Sequence, residues 1–171
     1  MAELKIQEID AFTSAQRRGL SELLQDAVAT GASVGFLNAI DATEAARFWQ
    51  GIGADLGPGL RCWLATRDEQ VAGVVLLAPC LKPNGRHRGE VQKLLTHRSQ
   101  RRQGVATRLM SALVSAAREA GLSLLVLDTL KNSGAESLYQ REGWQRAGEI
   151  PGYAAEPDGK LRPTVLYFLQ L

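Results

Sequence analysis

Glu90-Val91-Gln92-Lys93-Leu94-Leu95 leads through Thr96 and His97 to Arg98-Ser99-Gln100-Arg101-Arg102-Gln103-Gly104-Val105-Ala106, and further on comes Leu122-Ser123-Leu124-Leu125-Val126-Leu127-Asp128. Residues 90–95 have the length and composition of a strand. From Gln103 and Gly104, Val105, Leu109, Ala112, Leu113, Ala116 and Ala120 recur at helical spacing, and Gly121 ends that helix. Residues 122–127 are a continuous apolar run, as expected of a strand buried on both faces. Strand, helix and strand in this order imply a right-handed parallel crossover.

The segments before it alternate differently. Residues 4–9 read as a first strand. Leu20, Leu23, Leu24, Ala27 and Val28 then mark a helix that should end near Gly31. Gly31-Ala32-Ser33-Val34-Gly35-Phe36 is a loop of small residues, and Asp41 with Glu44 starts a second helix burying Ala45, Phe48 and Ile52. Residues 61–66, 71–78 and 90–95 form an antiparallel meander, with turn residues at Lys82-Pro83-Asn84-Gly85. After residues 122–127, Ser133 and Glu136 form a capping box before a short helix ending at Gly143. Turns at Pro151-Gly152 and Pro157-Asp158-Gly159 precede a last strand over 164–169. The fold class is α/β: a mixed central sheet, antiparallel early and parallel between 90–95 and 122–128.

The 171 residues match one domain, 1–171, and the 45% apolar content is enough for a sizeable core. A net charge of +2, from 20 basic and 18 acidic residues, is too balanced for bulk nucleic-acid binding. No apolar run approaches the roughly 18 residues of a membrane span. Residues 1–10 are charged and do not read as a signal peptide. Cys62 and Cys80 are too few for a disulfide framework or a structural zinc site, and each reads as a small buried hydrophobe. His87 and His97 read as solvated, Trp49 and Trp63 as core. A cytoplasmic protein with reduced thiols and no metal is expected.

Chemistry enters at Arg101-Arg102-Gln103-Gly104-Val105-Ala106, between a strand and a long helix. Glycine lets backbone approach a ligand closely, and a helix N-terminus offers unpaired N–H groups and the positive end of its dipole. Arg98, Arg101 and Arg102 add positive charge. A diphosphate is the natural occupant. The loop lacks the Gly-Lys-Ser/Thr ending of a P-loop and the repeated glycines of a dinucleotide fingerprint.

These residues resemble the GCN5-related N-acetyltransferase (GNAT) superfamily. Its Arg/Gln-x-x-Gly-x-Gly/Ala signature is matched by Arg101, Gly104 and Ala106. Its Asn-x-x-Ala-x-x-x-Tyr-x-x-x-Gly-Phe signature is matched by Asn132, Ala135, Tyr139 and Gly143, with Trp144 in place of Phe. Residues 31–36, 82–85, 90–94 and 127–129, and the segments 148–153 and 157–159, are similar to the tabtoxin resistance acetyltransferases. The resemblance implies the acyl-CoA N-acyltransferase (GNAT) fold, in which the two parallel strands splay and acetyl-CoA, the acyl donor, fills the gap. It implies that backbone of Leu94, Leu95 and Thr96 pairs with the pantetheine arm. Arg101, Arg102, Gln103, Gly104, Val105, Ala106 and Thr107 would hold the diphosphate, and Asn132 and Tyr139 would lie near the thioester sulfur.

Acetyl transfer needs a neutral amine, whereas a free alkylamine has a pKa of roughly 10.4, so a carboxylate must accept a proton directly or through water. Glu90 opens one strand and Asp128 closes its neighbour, and in a splayed sheet both can face the cleft. The resemblance points to the same pair. Backbone N–H near Leu94 would meet the oxyanion, and Tyr139, a phenol protonated at neutral pH, would protonate the departing thiolate. The acceptor side would draw on Phe36 and Tyr153. The partner implied is a small-molecule primary amine, amino-acid-like or a β-lactam antibiotic, with no nucleic acid and no membrane, handled by a monomer or homodimer. The alternatives are a non-catalytic acyl-CoA-binding module and an acetyltransferase of protein N-termini or lysines.

Overall fold

The fold follows from two alternating strands. In Arg61–Arg67 (β2) and Gln70–Pro79 (β3), Cys62, Leu64, Val74 and Leu76 belong to one apolar cluster, while Trp63, Ala65, Val75 and Leu77 belong to another. Successive strand residues point to opposite faces, so these strands are apolar on both sides and need cover on both. The computed structural model, which describes residues 3–32 and 34–171, supplies it with helices on each face. Met1, Ala2 and Ser33, the last in the expected small-residue loop, lie outside the described residues.

Lys5–Ile9 (β1) pairs antiparallel with β2. Ser14–Ala29 (α1) begins with a reciprocal cap: Gln16 N–H donates to Thr13 Oγ1 at 3.2 Å, and Thr13 N–H to Gln16 Oε1 at 2.9 Å. Ala42–Asp55 (α2) is capped by Asp41 Oδ1, which accepts from Glu44 N–H at 2.8 Å. Leu20, Leu23 and Leu24 of α1 and Trp49 of α2 fill one side of the sheet. Arg88–Thr96 (β4) follows β3, and Val105–Glu119 (α3) covers the other side through Val105, Leu109, Met110, Leu113 and Ala117. Leu124–Leu130 (β5), Gly134–Arg141 (α4), Gln145–Ala155 (β6) and Leu161–Gln170 (β7) complete the chain.

The seven strands order as β1-β2-β3-β4-β5-β7-β6. Among the described residues only β4 and β5 are parallel, and their pairing is short: Arg88 with Leu124, Gly89 with Leu125, and Glu90 with Val126. Gly89 sits where a Cβ would lie 2.8 Å from the Leu77 side chain. Beyond Glu90 the two strands part. Among the described residues no helix is long and apolar enough to cross a membrane.

Several sequence expectations are corrected. The turn expected at Pro151-Gly152 is an irregularity inside β6, where pairing with β7 lapses between Ile150 and Ala154 and Gly152 takes φ 60°, in an edge strand exposed along nearly all its length. Its hydrogen bonds hold it, not an apolar face. In α2 the buried aromatic is Trp49, while Phe48 and Ile52 are half-buried. In α3 the buried stripe takes in Met110 and Ala117, leaving Ala112 and Ala116 half-buried and Ala120 exposed. β5 begins at Leu124 and buries Leu125 and Leu127 fully but Leu124 and Val126 only partly. Ser133 makes no capping hydrogen bond to α4. Glu136 accepts from the Asn132 N–H at 2.6 Å instead, and its second oxygen accepts from the Tyr167 hydroxyl at 2.6 Å.

Candidate active site

The site lies where β4 and β5 separate. Opposite Val75, the β3–β4 register slips: Val74 pairs with Leu95, and Leu76 with Gln92. Lys93 and Leu94 are thus set against a single residue, with Lys93 at φ 52°. A bulge of this kind bends the strand and turns backbone groups out of the ladder. A non-glycine residue at positive φ in mid-strand is costly and marks a constrained site. The bulge and the parting of β5 leave a cleft of about 540 Å³ lined by Glu90, Lys93, Leu94, Leu95, Asp128 and Tyr139. Gly31, Ala32, Val34 and Gly35 border it on one side, and Ser133, Tyr153 and Thr164 on the other.

Both predicted carboxylates reach this cleft. Asp128 Oδ2 accepts from the Thr164 hydroxyl at 2.8 Å, and Thr164 is buried. Glu90 Oε1 accepts from Gln92 Nε2 at 3.2 Å. Tyr139 is 5% exposed, packed between Trp144 and Tyr167 with ring centroids 5.9 and 5.8 Å away. Burial, reinforced by the negative charge of Asp128, pushes its phenol up to about 12. It therefore stays protonated at physiological pH. Thr96 borders the bulge at the end of β4.

Beyond the end of β4 comes the loop before α3. Arg102 has φ 58° and Gly104, the N-cap, has φ 78°. Gly104 has no side chain to satisfy the first turn, and a Cβ built there meets no atom within 4 Å. The first amides of α3, from Val105, Ala106 and Thr107, lack intrahelical partners and point outward. The open approach, the bare cap and the helix dipole fit a phosphate group. The side chains are arranged differently from the sequence expectation. Arg98 is not free to meet a phosphate, because its guanidinium is ion-paired with the buried Asp26 of α1. Arg101 donates to Thr30 Oγ1 at 2.7 Å. Gln103 takes a hydrogen bond from Arg67 and donates to the Ser99 carbonyl at 2.8 Å, so it braces the loop. Arg102 is exposed. His97 is half-buried, not solvated, with Nε2 3.8 Å from Asp26.

Asn132, at φ 62°, sits in the β5–α4 turn, held by Glu136, and does not line the cleft. Phe36 packs on Phe48 at 5.6 Å and borders an adjoining depression with Leu37 and Arg162, whereas Tyr153 borders the cleft itself. Cys62 is buried, and burial pushes its thiol up to about 12, which leaves it unreactive. Cys80 is half-buried beneath Gly85. Among the described residues no three His, Cys, Asp or Glu side chains gather as a metal-ligand set.

A model of the Acetyltransferase (GNAT) family matches residues 39–144. The chain belongs to the GNAT acetyltransferase family. Among GNAT relatives, N-acetyltransferase 8B of Rattus norvegicus is 34% identical over 98 residues, covering 56% of this chain and 43% of that protein. The chain thus spans less than half the length of that relative. N-acetyltransferase YsnE of Bacillus subtilis (strain 168), itself uncharacterized, is 27% identical over 105 residues, 60% of this chain and 67% of that protein. Among solved GNAT-type structures, the ribosomal-protein-alanine N-acetyltransferase of Brucella melitensis superposes with a TM-score of 0.79 over 98% of this chain and 99% of that one, at 20% identity. The Salmonella typhimurium protein yncA, solved with its cofactor acetyl-CoA, gives 0.77 over 98% and 94%, at 17% identity. The GNAT signatures singled out the loop before α3 and Tyr139 in the sequence. They gave no sign of Lys93, because no glycine marks the bulge, or of Asp26, which is distant in sequence.

Proposed function

We propose that this chain is an acetyl-CoA-dependent N-acetyltransferase that moves the acetyl group directly to a primary amine of a small molecule. One observation carries the reading: β4 and β5 part beyond Glu90 at the level of the bulge, and the opening holds two carboxylates and a buried, protonated tyrosine. When bound, acetyl-CoA supplies an activated acyl carbon as a thioester. Main-chain amides of residues 103–107 hold its diphosphate, aided by the charge of Arg101 and Arg102. Backbone of Leu94, Leu95 and Thr96 lies along the pantetheine arm as a neighbouring strand would. An N–H turned out at the bulge, near Leu94, donates to the carbonyl oxygen as negative charge grows there.

Glu90 or Asp128 accepts the proton of the incoming ammonium, directly or through one water, and so exposes the nitrogen lone pair. The nitrogen forms the new C–N bond, the C–S bond breaks, and Tyr139 gives its proton to the departing thiolate, whose pKa is roughly 8.5, while the proton shed by the acylated nitrogen passes through water to restore the phenol. Asn132 supports this end of the site through the turn that presents α4. Tyr153 walls the acceptor side of the cleft, and Phe36 extends it into the adjoining depression. The resemblance to tabtoxin resistance acetyltransferases supports an acceptor that is amino-acid-like, including β-lactam antibiotics.

The test is a thiol-release assay with acetyl-CoA and a panel of small amines, the products identified by mass spectrometry. Acetylation of at least one small amine, slowed about a hundredfold by Tyr139→Phe, is expected. Tight binding of acetyl-CoA without transfer to any amine would overturn the proposal in favour of a binding module.

A further inference from the structure

The cleft contains a cation that the acetyl-transfer steps leave without a task. Lys93 is half-buried at the centre of the β4 bulge and lines the cleft with Glu90 and Asp128. Its Nζ donates to the Val34 carbonyl oxygen at 3.1 Å and lies 5.8 Å from the centre of the Phe48 ring. An ammonium has three N–H donors, so one carbonyl and one ring face leave hydrogen-bonding capacity unspent. Among the described residues no carboxylate lies within ion-pair distance of it. Desolvating a cation without pairing it is expensive. The bulge adds a second cost, because Lys93 holds a positive φ that a side-chain-bearing residue rarely adopts. The backbone distortion and the desolvation converge on the same ammonium.

Glu90 and Asp128 share the cleft with Lys93 without forming an ion pair with it. Glu90 and Asp128 flank the parting strands and suit the ammonium of an acceptor. Lys93 projects toward the loop that borders the acceptor side, at Val34. Burial pulls the Lys93 ammonium below the usual lysine range, while Asp128 and Glu90 act against this and favour its charge. A ligand with a cationic and an anionic end would find both complements in one cleft. A plain alkylamine would leave Lys93 unmatched.

We propose that Lys93 is a specificity residue whose Nζ binds the carboxylate of the acceptor, so that the preferred substrate is an amine that also carries a carboxylate. This deepens the acetyl-transfer reading and rests on it. A role limited to fastening Val34 would affect all acceptors alike, whereas a carboxylate-binding role separates acids from their neutral analogues.

The experiment compares isosteric pairs, β-alanine with β-alaninamide and L-lysine with L-lysinamide, in the thiol-release assay. The amide removes the negative charge and keeps the shape, and it also makes the α-amine of lysine less basic, which favours transfer to the amide. The wild-type chain is expected to prefer the acid, mainly through a lower KM. In Lys93→Met the ratio of kcat/KM for acid over amide should fall about tenfold to a hundredfold, the worth of one charge-assisted hydrogen bond. Lys93→Arg should retain part of the preference. Equal use of acid and amide by the wild-type chain overturns the proposal without any variant, as does an unchanged ratio in a folded Lys93→Met. If amides and diamines are acetylated but neither acid is, Lys93 falls and acetyl transfer stands. If no amine releases thiol, the acetyl-transfer reading falls and takes this proposal with it.

Discussion

Asp26, near the end of α1, accepts hydrogen bonds from both the backbone N–H of Arg98, at 2.9 Å, and its guanidinium, across 72 residues of sequence. The pair fastens α1, which leads into the loop at residues 31–36, to the segment that leads into the loop before α3. Arg101 repeats the fastening through Thr30. Asp26→Asn should cost about 1–3 kcal/mol in urea unfolding, since Asp26 is buried while Arg98 can be rehydrated. Donor affinity measured by calorimetry should fall with it.

The same pair sets an acid limit. Burial raises the Asp26 carboxyl, but the Arg98 hydrogen bonds and the charge of His97 more than offset this, and it sits below the usual carboxylate range. A folded value below the unfolded one means that the contribution is present above about pH 4 and is lost as pH falls through the folded value. Urea titrations down to pH 3 should show wild type losing its advantage over Asp26→Asn in that window.

Tyr139→Phe should lower turnover about a hundredfold and leave acetyl-CoA affinity little changed. Its phenol, pushed up to about 12, should contribute no alkaline limb to the rate profile below about pH 11. Single-turnover rates and calorimetry on the same variant check both points. Full turnover by the phenylalanine variant would remove Tyr139 from proton donation.

Glu90→Gln and Asp128→Asn should each reduce kcat/KM at neutral pH. The acidic limb of the profile should move in the variant that lacks the base. Asp128 is oriented by the buried Thr164, so Thr164→Val should reproduce a milder form of any Asp128 defect.

Gly104→Val should abolish acetyl-CoA binding. Two effects combine: the backbone sits at φ 78°, unfavourable for a β-branched residue, and the added carbons fill the space that a phosphate needs. Calorimetric affinity at the wild-type level would contradict the assignment of the phosphate loop.

Local patterns made much of this legible. Apolar alternation in 61–66 and 71–78 located β2 and β3, and the glycine ahead of Val105 located the start of α3. Glu90 and Asp128 were readable because each sits near an end of its strand: Glu90 pairs with Val126, and Asp128 follows two residues further along β5 on the same face. What escaped lacks a local signal. β6 is nearly all exposed and contains Gly148, Pro151 and Gly152, so its composition reads as turn, although its backbone pairs with β7 on either side of an irregularity between Ile150 and Ala154. Trp49 and Phe48 are adjacent, and a small phase difference in α2 decides which one is buried. The left-handed conformation of Lys93 arises from strand pairing and carries no residue preference that could announce it.

The brief pairing of β4 with β5 divides the sheet into a four-stranded and a three-stranded half, joined edge to edge at three rungs only. A ligand lying in the wedge completes the missing rungs and becomes, in effect, a borrowed strand shared by both halves. Melting temperature should therefore climb logarithmically with donor concentration, by the equivalent of about 2.7 kcal/mol at a hundredfold excess over Kd. Protease cuts in the β5–α4 turn should be suppressed in parallel, so that survival under limited proteolysis should lengthen as the acyl donor is raised.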